Sequence, residues 1–131
     1  MAFLSWHERF RVGHAEVDAQ HQNLFSIVNR FNVPDQTGPS VETARAILED
    51  LLAAVMAHFK FEEELMDSIA YPDLAEHKQM HEDLIKQLWD LLATLKRGGH
   101  KSMPSIVRFL ADWLVNHIVR EDMAYKPHLK G

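Results

Sequence analysis

Residues 40–67 read SVETARAILEDLLAAVMAHFKFEEELMD. Ala44, Ile47, Leu48, Leu51, Val55, His58, Glu62, Leu65 and Met66 recur at intervals of three and four, the spacing of one helix face. Ser40, directly after Pro39, supplies an N-cap. No alternating apolar pattern of comparable length occurs anywhere in the chain, so a sheet is not expected. The same stripe carries an anomaly, because His58 and Glu62 stand where the period asks for a core side chain.

On either side, glycine and proline fall in clusters at Gly13, at Pro34, Gly38 and Pro39, at Pro72, at Gly98, Gly99 and Pro104, and at Pro127 and Gly131. The intervals between them predict helices at about 15–32, 40–67, 74–97 and 104–123. The first places Val17, His21, Leu24, Val28 and Phe31 on one face. The third opens at Asp73, with Glu76 three residues on, and its stripe is Leu74, His77, His81, Leu84, Leu88, Leu91 and Leu95. The fourth starts near Pro104, which suits a first helical turn, and carries Ile106, Phe109, Leu110, Trp113, Leu114, His117 and Ile118. Four such helices with short connections predict an all-α, up-down-up-down antiparallel four-helix bundle. Residues 1–14, with Phe3, Leu4, Trp6 and Phe10, read as an irregular arm packed on it. The whole of 1–131 is expected to form a single domain.

Composition narrows the function. At 131 residues, with 47% apolar and 25% charged side chains, the chain can bury a full core. It has no cysteine, which excludes disulfides, thiolate metal sites and thiol nucleophiles. A net charge of -5 argues against nucleic acid or anionic lipid as main partner. No stretch is long and apolar enough for membrane insertion, so a cytoplasmic protein is expected.

Nine histidines are many for this length, and they are not scattered evenly. His7, His14, His100 and His128 fall in the arm, loops and tail and read as surface residues. His21, His58, His77, His81 and His117 all occupy apolar positions, with every predicted helix contributing. His77-x-x-x-His81 alone is a weak signal, and any one buried histidine is ordinarily satisfied by a carbonyl. As a set with Glu62 they would cost much of the roughly 5–15 kcal/mol of a normal fold unless they satisfied one another or a ligand. Imidazoles with a carboxylate in a dry interior suit a transition metal. A structural zinc saturates at about four ligands, so the supply points to two ions. Neither Glu-x-x-His, needed for the ferritin-like di-iron pattern, nor His-Glu-x-x-His is present.

The sequence resembles the hemerythrin family, most closely its stand-alone bacterial members. The resemblance runs through Val12-Gly13, Asp18-x-Gln20-His21, Leu24 to Asn29, His58-Phe59-x-x-Glu62-Glu63-x-x-Met66, Tyr71 with His77-x-x-x-His81, and Trp113-Leu114-x-x-His117-Ile118-x-x-x-Asp122. It implies two iron ions per chain with a bridging oxo or hydroxo group. His21 and His58 would bind one iron and His77, His81 and His117 the other, with Glu62 and Asp122 bridging. One position would then stay open on the iron with fewer histidines. Spacing alone selects Glu121, one turn from His117, whereas Asp122 lies about 140° round an ideal helix. A π-type turn would restore Asp122 to the His117 face, and the family pattern selects Asp122.

The resemblance further implies reversible dioxygen binding, as carrier, store or buffer, rather than enzyme activity. The wall of the oxygen pocket is expected from Phe59, Trp113, Leu114 and Ile118. The alternatives are a di-iron oxidase, peroxidase or nitric oxide reductase, and an oxygen, redox or iron sensor acting in trans. Dioxygen is the expected partner, an oxygen-consuming enzyme or a reductase a further one, and the chain is expected to be a monomer.

Overall fold

The computed structural model describes residues 6–31, 39–97, 103–117 and 121–129. The helices are α1 (Ala15–Asn29), α2 (Val41–Ser68), α3 (Leu74–Lys96) and α4 (Met103–Asn116). A single 3-10 turn over Glu8–Phe10 precedes them, a 3-10 segment over Asp122–Leu129 follows, and there is no strand among the described residues. Helix α2 packs on both α1 and α3, and α1 also packs on α4, which is the neighbour pattern of an up-down-up-down bundle. No helix among the described residues is long and apolar enough to cross a membrane.

The apolar faces meet as the periodicity requires. Leu24, Val28, Leu48, Leu51, Val55, Leu88, Leu110 and Leu114 are all buried in one cluster, together with Phe10, Phe25 and Phe59. Val12, Val17, Met66, Tyr71 and Tyr125 form a second, smaller one. Along α1 the order is Val17, His21, Leu24, and along α2 it is Phe59, Glu62, Met66. A polar layer therefore lies between two apolar clusters, closed to water on both sides.

The arm is tied down rather than loosely draped. Trp6 sits edge-on to Phe25 with ring centroids 5.3 Å apart, and Phe10 lies 5.4 Å from the same ring. Gly13 has φ +93, a left-handed conformation that glycine adopts without penalty. The turn it makes lets the Val12 and Gly13 amides donate to Asp18 at 2.8 and 3.3 Å. Phe3 and Leu4 lie outside the described residues.

Three local expectations are corrected. His14 is not a plain surface histidine, because its Nδ1 accepts from the Val17 amide at 3.3 Å and caps α1. Ser40 caps α2 as expected, accepting from the Thr43 amide, but the Asp73 side chain makes no capping bond to α3. The fourth helix does not run as α-helix to residue 123. It ends at Asn116, the chain is π-helical at His117 and again at Glu121, and then tightens into the 3-10 segment from Asp122.

Burial predicts where stability resides. Leu110→Ala, at a fully buried α4 position, is expected to cost about 2–5 kcal/mol in urea unfolding. Val41→Ala, 45% exposed, should stay within about 0.5 kcal/mol.

Candidate metal centre

Each helix delivers its histidine from the layer between the apolar clusters. His21 comes from α1, His58 and Glu62 from successive turns of α2, His77 and His81 from successive turns of α3, and His117 and Asp122 from the end of α4 and the segment beyond it. All seven side chains predicted as ligands are buried, and both carboxylates are 0% exposed.

The structure brings them into one cluster. His21 Nε2 is 2.7 Å from Asp122 Oδ2 and 2.9 Å from His58 Nε2, and His58 Nε2 is 3.3 Å from Glu62 Oε2. On the other side His81 Nε2 is 3.0 Å and His77 Nε2 3.5 Å from Glu62 Oε1, while His77 Nε2 is 3.3 Å from Asp122 Oδ1. His117 Nε2 is 3.1 Å from Asp122 Oδ2. Asp122 thus faces the histidines although it is five residues beyond His117. Glu121, one α-turn on, is not among these contacts. The π-helical geometry at His117 and Glu121 accounts for the difference, since a wider turn shifts the angular phase of every residue after it.

Two groups have donor atoms all within 4.8 Å of one another: His21, His58, Glu62 and Asp122, and Glu62, His77, His81 and Asp122. They share both carboxylates. His117 belongs to neither group, but its nearest histidine ring is that of His81, with centroids 5.4 Å apart.

Electrostatics match the geometry. Burial pulls His58 and His77 down, but Glu62 and Asp122 beside them more than compensate and raise both to about 9. Burial likewise opposes a charged His21, and hydrogen bonds to Asp122 and Glu62 leave it raised. Burial pushes Glu62 up, but the neighbouring His58 and His21 hold it well below the carboxylate range. Burial and the Glu62 charge push Asp122 up, and His117 helps pull it below its ordinary value. The interior therefore holds two ionised carboxylates whose imidazole partners attract protons or a cation at the same nitrogens.

Several buried polar atoms have no hydrogen-bond partner among the described residues: Nε2 of His77, His81 and His117, Oε1 of Glu62 and Oδ1 of Asp122. These five belong to the cluster, whereas Arg45 Nε and Trp113 Nε1, also unpartnered, lie outside it; orphaned atoms at this burial are normally paired. An all-nitrogen and oxygen set with convergent lone pairs suits a transition metal such as iron, so the residues fit the group that the sequence implies.

Three further residues support the cluster from outside. Gln20 Oε1 lies 2.7 Å from His58 Nδ1 and Glu63 Oε2 lies 2.8 Å from His81 Nδ1, contacts that hold each ring with Nε2 inward. The Tyr125 hydroxyl donates to Glu62 Oε2 at 2.8 Å. Burial, then the Glu62 and Asp122 charges, raise this phenol, so it remains a donor. Sequence reasoning assigned no role to any of the three. Gln20 and Glu63 each adjoin a cluster residue, His21 and Glu62, which is a usable signal. Tyr125 lies in a 3-10 segment that a helical period does not reach.

Of the four residues expected to wall a pocket, three are described. Phe59 stacks on His81 with centroids 3.7 Å apart and planes 4° from parallel. Trp113 lies nearly parallel to His117 at 6.2 Å, and Leu114 is fully buried beside them in the same apolar cluster. Ile118 lies outside the described residues.

Comparison with known proteins gives a consistent picture. The sequence model of the hemerythrin HHE cation binding domain matches residues 12–129. A bacteriohemerythrin of Methylococcus capsulatus is 35% identical, with all of both chains covered. Myohemerythrin-1 of Phascolopsis gouldii is 34% identical over 95% of this chain and 92% of its own. The crystal structure of wild-type hemerythrin superposes with a TM-score of 0.84 at 30% identity, covering 99% of this chain and 100% of that one.

The Tyr125 contact gives a direct prediction. Tyr125→Phe leaves a buried Glu62 oxygen without its donor and is expected to cost about 1–3 kcal/mol in denaturant unfolding, with the helical circular dichroism unchanged.

Proposed function

This chain belongs to the hemerythrin family, and on that premise we propose that its single domain binds dioxygen reversibly at a pair of iron ions, as carrier, store or buffer. The observation that carries this reading is the pair of donor groups sharing Glu62 and Asp122. Two carboxylates common to two imidazole sets are what a bridged metal pair requires. His21 and His58 serve one ion. His77, His81 and His117 serve the other, an assignment supported for His117 by its closeness to the His81 ring.

When bound, iron supplies electrons to dioxygen on binding and recovers them on release. The chain's residues hold and shield the place where this happens. Gln20 and Glu63 orient His58 and His81, and Tyr125 keeps its proton at the phenol oxygen while fixing Glu62. Phe59, Trp113 and Leu114 present carbon surface toward the histidines and exclude water. The donor set favours carriage over oxygen activation, because five imidazoles stabilise high-valent iron less than a carboxylate-rich set does. The chain acts as a monomer whose partner is dioxygen.

Metal analysis of purified protein is expected to give two irons per chain, and a single ion or stoichiometric zinc would overturn the reading. Asp122→Ala should lose iron, whereas Glu121→Ala should keep it. The reverse pattern would return the ligand role to Glu121. The reduced, iron-loaded protein is expected to gain a visible absorption band on exposure to oxygen and to lose it when oxygen is stripped away. Steady oxygen consumption in the presence of a reductant would instead identify an oxidase.

A further inference from the structure

The two donor groups share Glu62 and Asp122, so a difference between the two metal positions has to come from what surrounds those carboxylates. The outer nitrogens of the histidines supply one. His58, in the first group, meets a neutral amide oxygen, Gln20 Oε1, at 2.7 Å, while His81, in the second, meets a carboxylate oxygen, Glu63 Oε2, at 2.8 Å. Both partners are oxygen acceptors, so in each ring Nδ1 carries the proton and donates it, and Nε2 keeps its lone pair for the centre. The two contacts act alike on ring orientation and differ by one negative charge.

A second contact acts in the same sense. Glu62 Oε2 lies toward His58 and His21, at 3.3 and 3.6 Å, and Oε1 toward His81 and His77, at 3.0 and 3.5 Å. The Tyr125 hydroxyl donates to Oε2, and so draws electron density from the oxygen on the His21 and His58 side. Asp122 adds no such bias, because its Oδ2 lies near His21 and His117 alike, at 2.7 and 3.1 Å. Asp18, the other buried carboxylate among the described residues, is engaged elsewhere by the Val12 and Gly13 amides and by Arg11.

We propose that Glu63 is a positioning residue that makes the two metal positions unequal: ferric charge is stabilised first at the position of His77, His81 and His117, and ferrous charge is retained at that of His21 and His58. A carboxylate on the outer nitrogen raises the basicity of His81 and sets a negative charge behind one position, nearer to it than to the other. Glu63 has 28% of its side chain exposed, so water screens that charge only in part. On the far side, the phenol on Glu62 Oε2 works against the higher charge. Oxidation of one ferrous ion passes a single electron to an external one-electron acceptor, and no bond to Glu63 forms or breaks. The proposal rests on the metal-centre reading above.

The test is an anaerobic redox titration of the iron-loaded full chain with a one-electron oxidant, after its metal content has been measured. Electron paramagnetic resonance quantifies the form with one ferrous and one ferric ion, whose share reports the gap between the first and second one-electron potentials. Glu63→Gln keeps an oxygen acceptor for His81 Nδ1 and removes only the charge, and Gln20→Glu adds a charge at the other position. Each is expected to narrow the gap, with the comproportionation constant falling roughly tenfold, which is 59 mV for one electron. Glu64→Gln, which removes the exposed neighbouring charge, is expected to leave that constant unchanged. A Glu63→Gln chain whose gap matches the unmodified protein, or shifts no more than that of the Glu64→Gln control, would reduce Glu63 to a ring support and overturn the proposal. A gap unchanged or widened by Gln20→Glu would overturn it too, and both results would leave the centre standing. An unmodified chain that holds no pair of irons would overturn the centre itself.

Discussion

Glu62 and Asp122 hold negative charge where water does not reach, and the rest of the molecule is arranged round that fact. An isolated carboxylate in such a place would neutralise itself by taking up a proton. Here imidazoles from every helix surround the pair and keep it ionised. Removing one partner would strand a buried charge at a cost of about 3–5 kcal/mol. The charge is tolerable only as part of a complete set, and this makes the cluster a condition of the fold as well as its product.

The bundle meets that condition by layering. Each helix spends one or two turns on the polar layer and the remainder on leucine, valine and phenylalanine packing. The apolar clusters above and below fix the helices, and the helices fix the imidazoles. The one freedom that packing leaves, the ring rotation of a histidine, is removed by single contacts from Gln20 and Glu63. Precision therefore comes from two sources of different reach. Dispersion acts over the whole interface, whereas a hydrogen bond acts on one torsion.

Much of this was legible from periodicity. His21, His58, Glu62, His77, His81 and His117 were conspicuous because they broke an apolar stripe, and a broken stripe can be seen without coordinates. Asp122 was not legible in that way. It becomes a neighbour of His117 only through a departure from α geometry, and a period-based reading chose Glu121 instead. Tyr125 was lost for the same reason, since it comes after the departure and lies on a 3-10 path. His14 and Asp73 failed differently. Capping depends on where one side-chain atom points, and composition at the cap position does not determine that.

The hydrogen bond from Tyr125 to Glu62 joins positions 63 residues apart, and it has a consequence for the order of assembly during synthesis. A chain emerging from the ribosome can pair the first three helices early, because their contacts are nearest in sequence. Glu62 meets Asp122 and Tyr125 only after the segment that follows α4 has emerged. Until then a nascent bundle exposes a half-built set of imidazoles around a carboxylate that lacks both its counterpart and its phenol. Vectorial synthesis thus delays closure of the polar layer until the segment after α4 emerges and leaves one face open while the other helices are already in place.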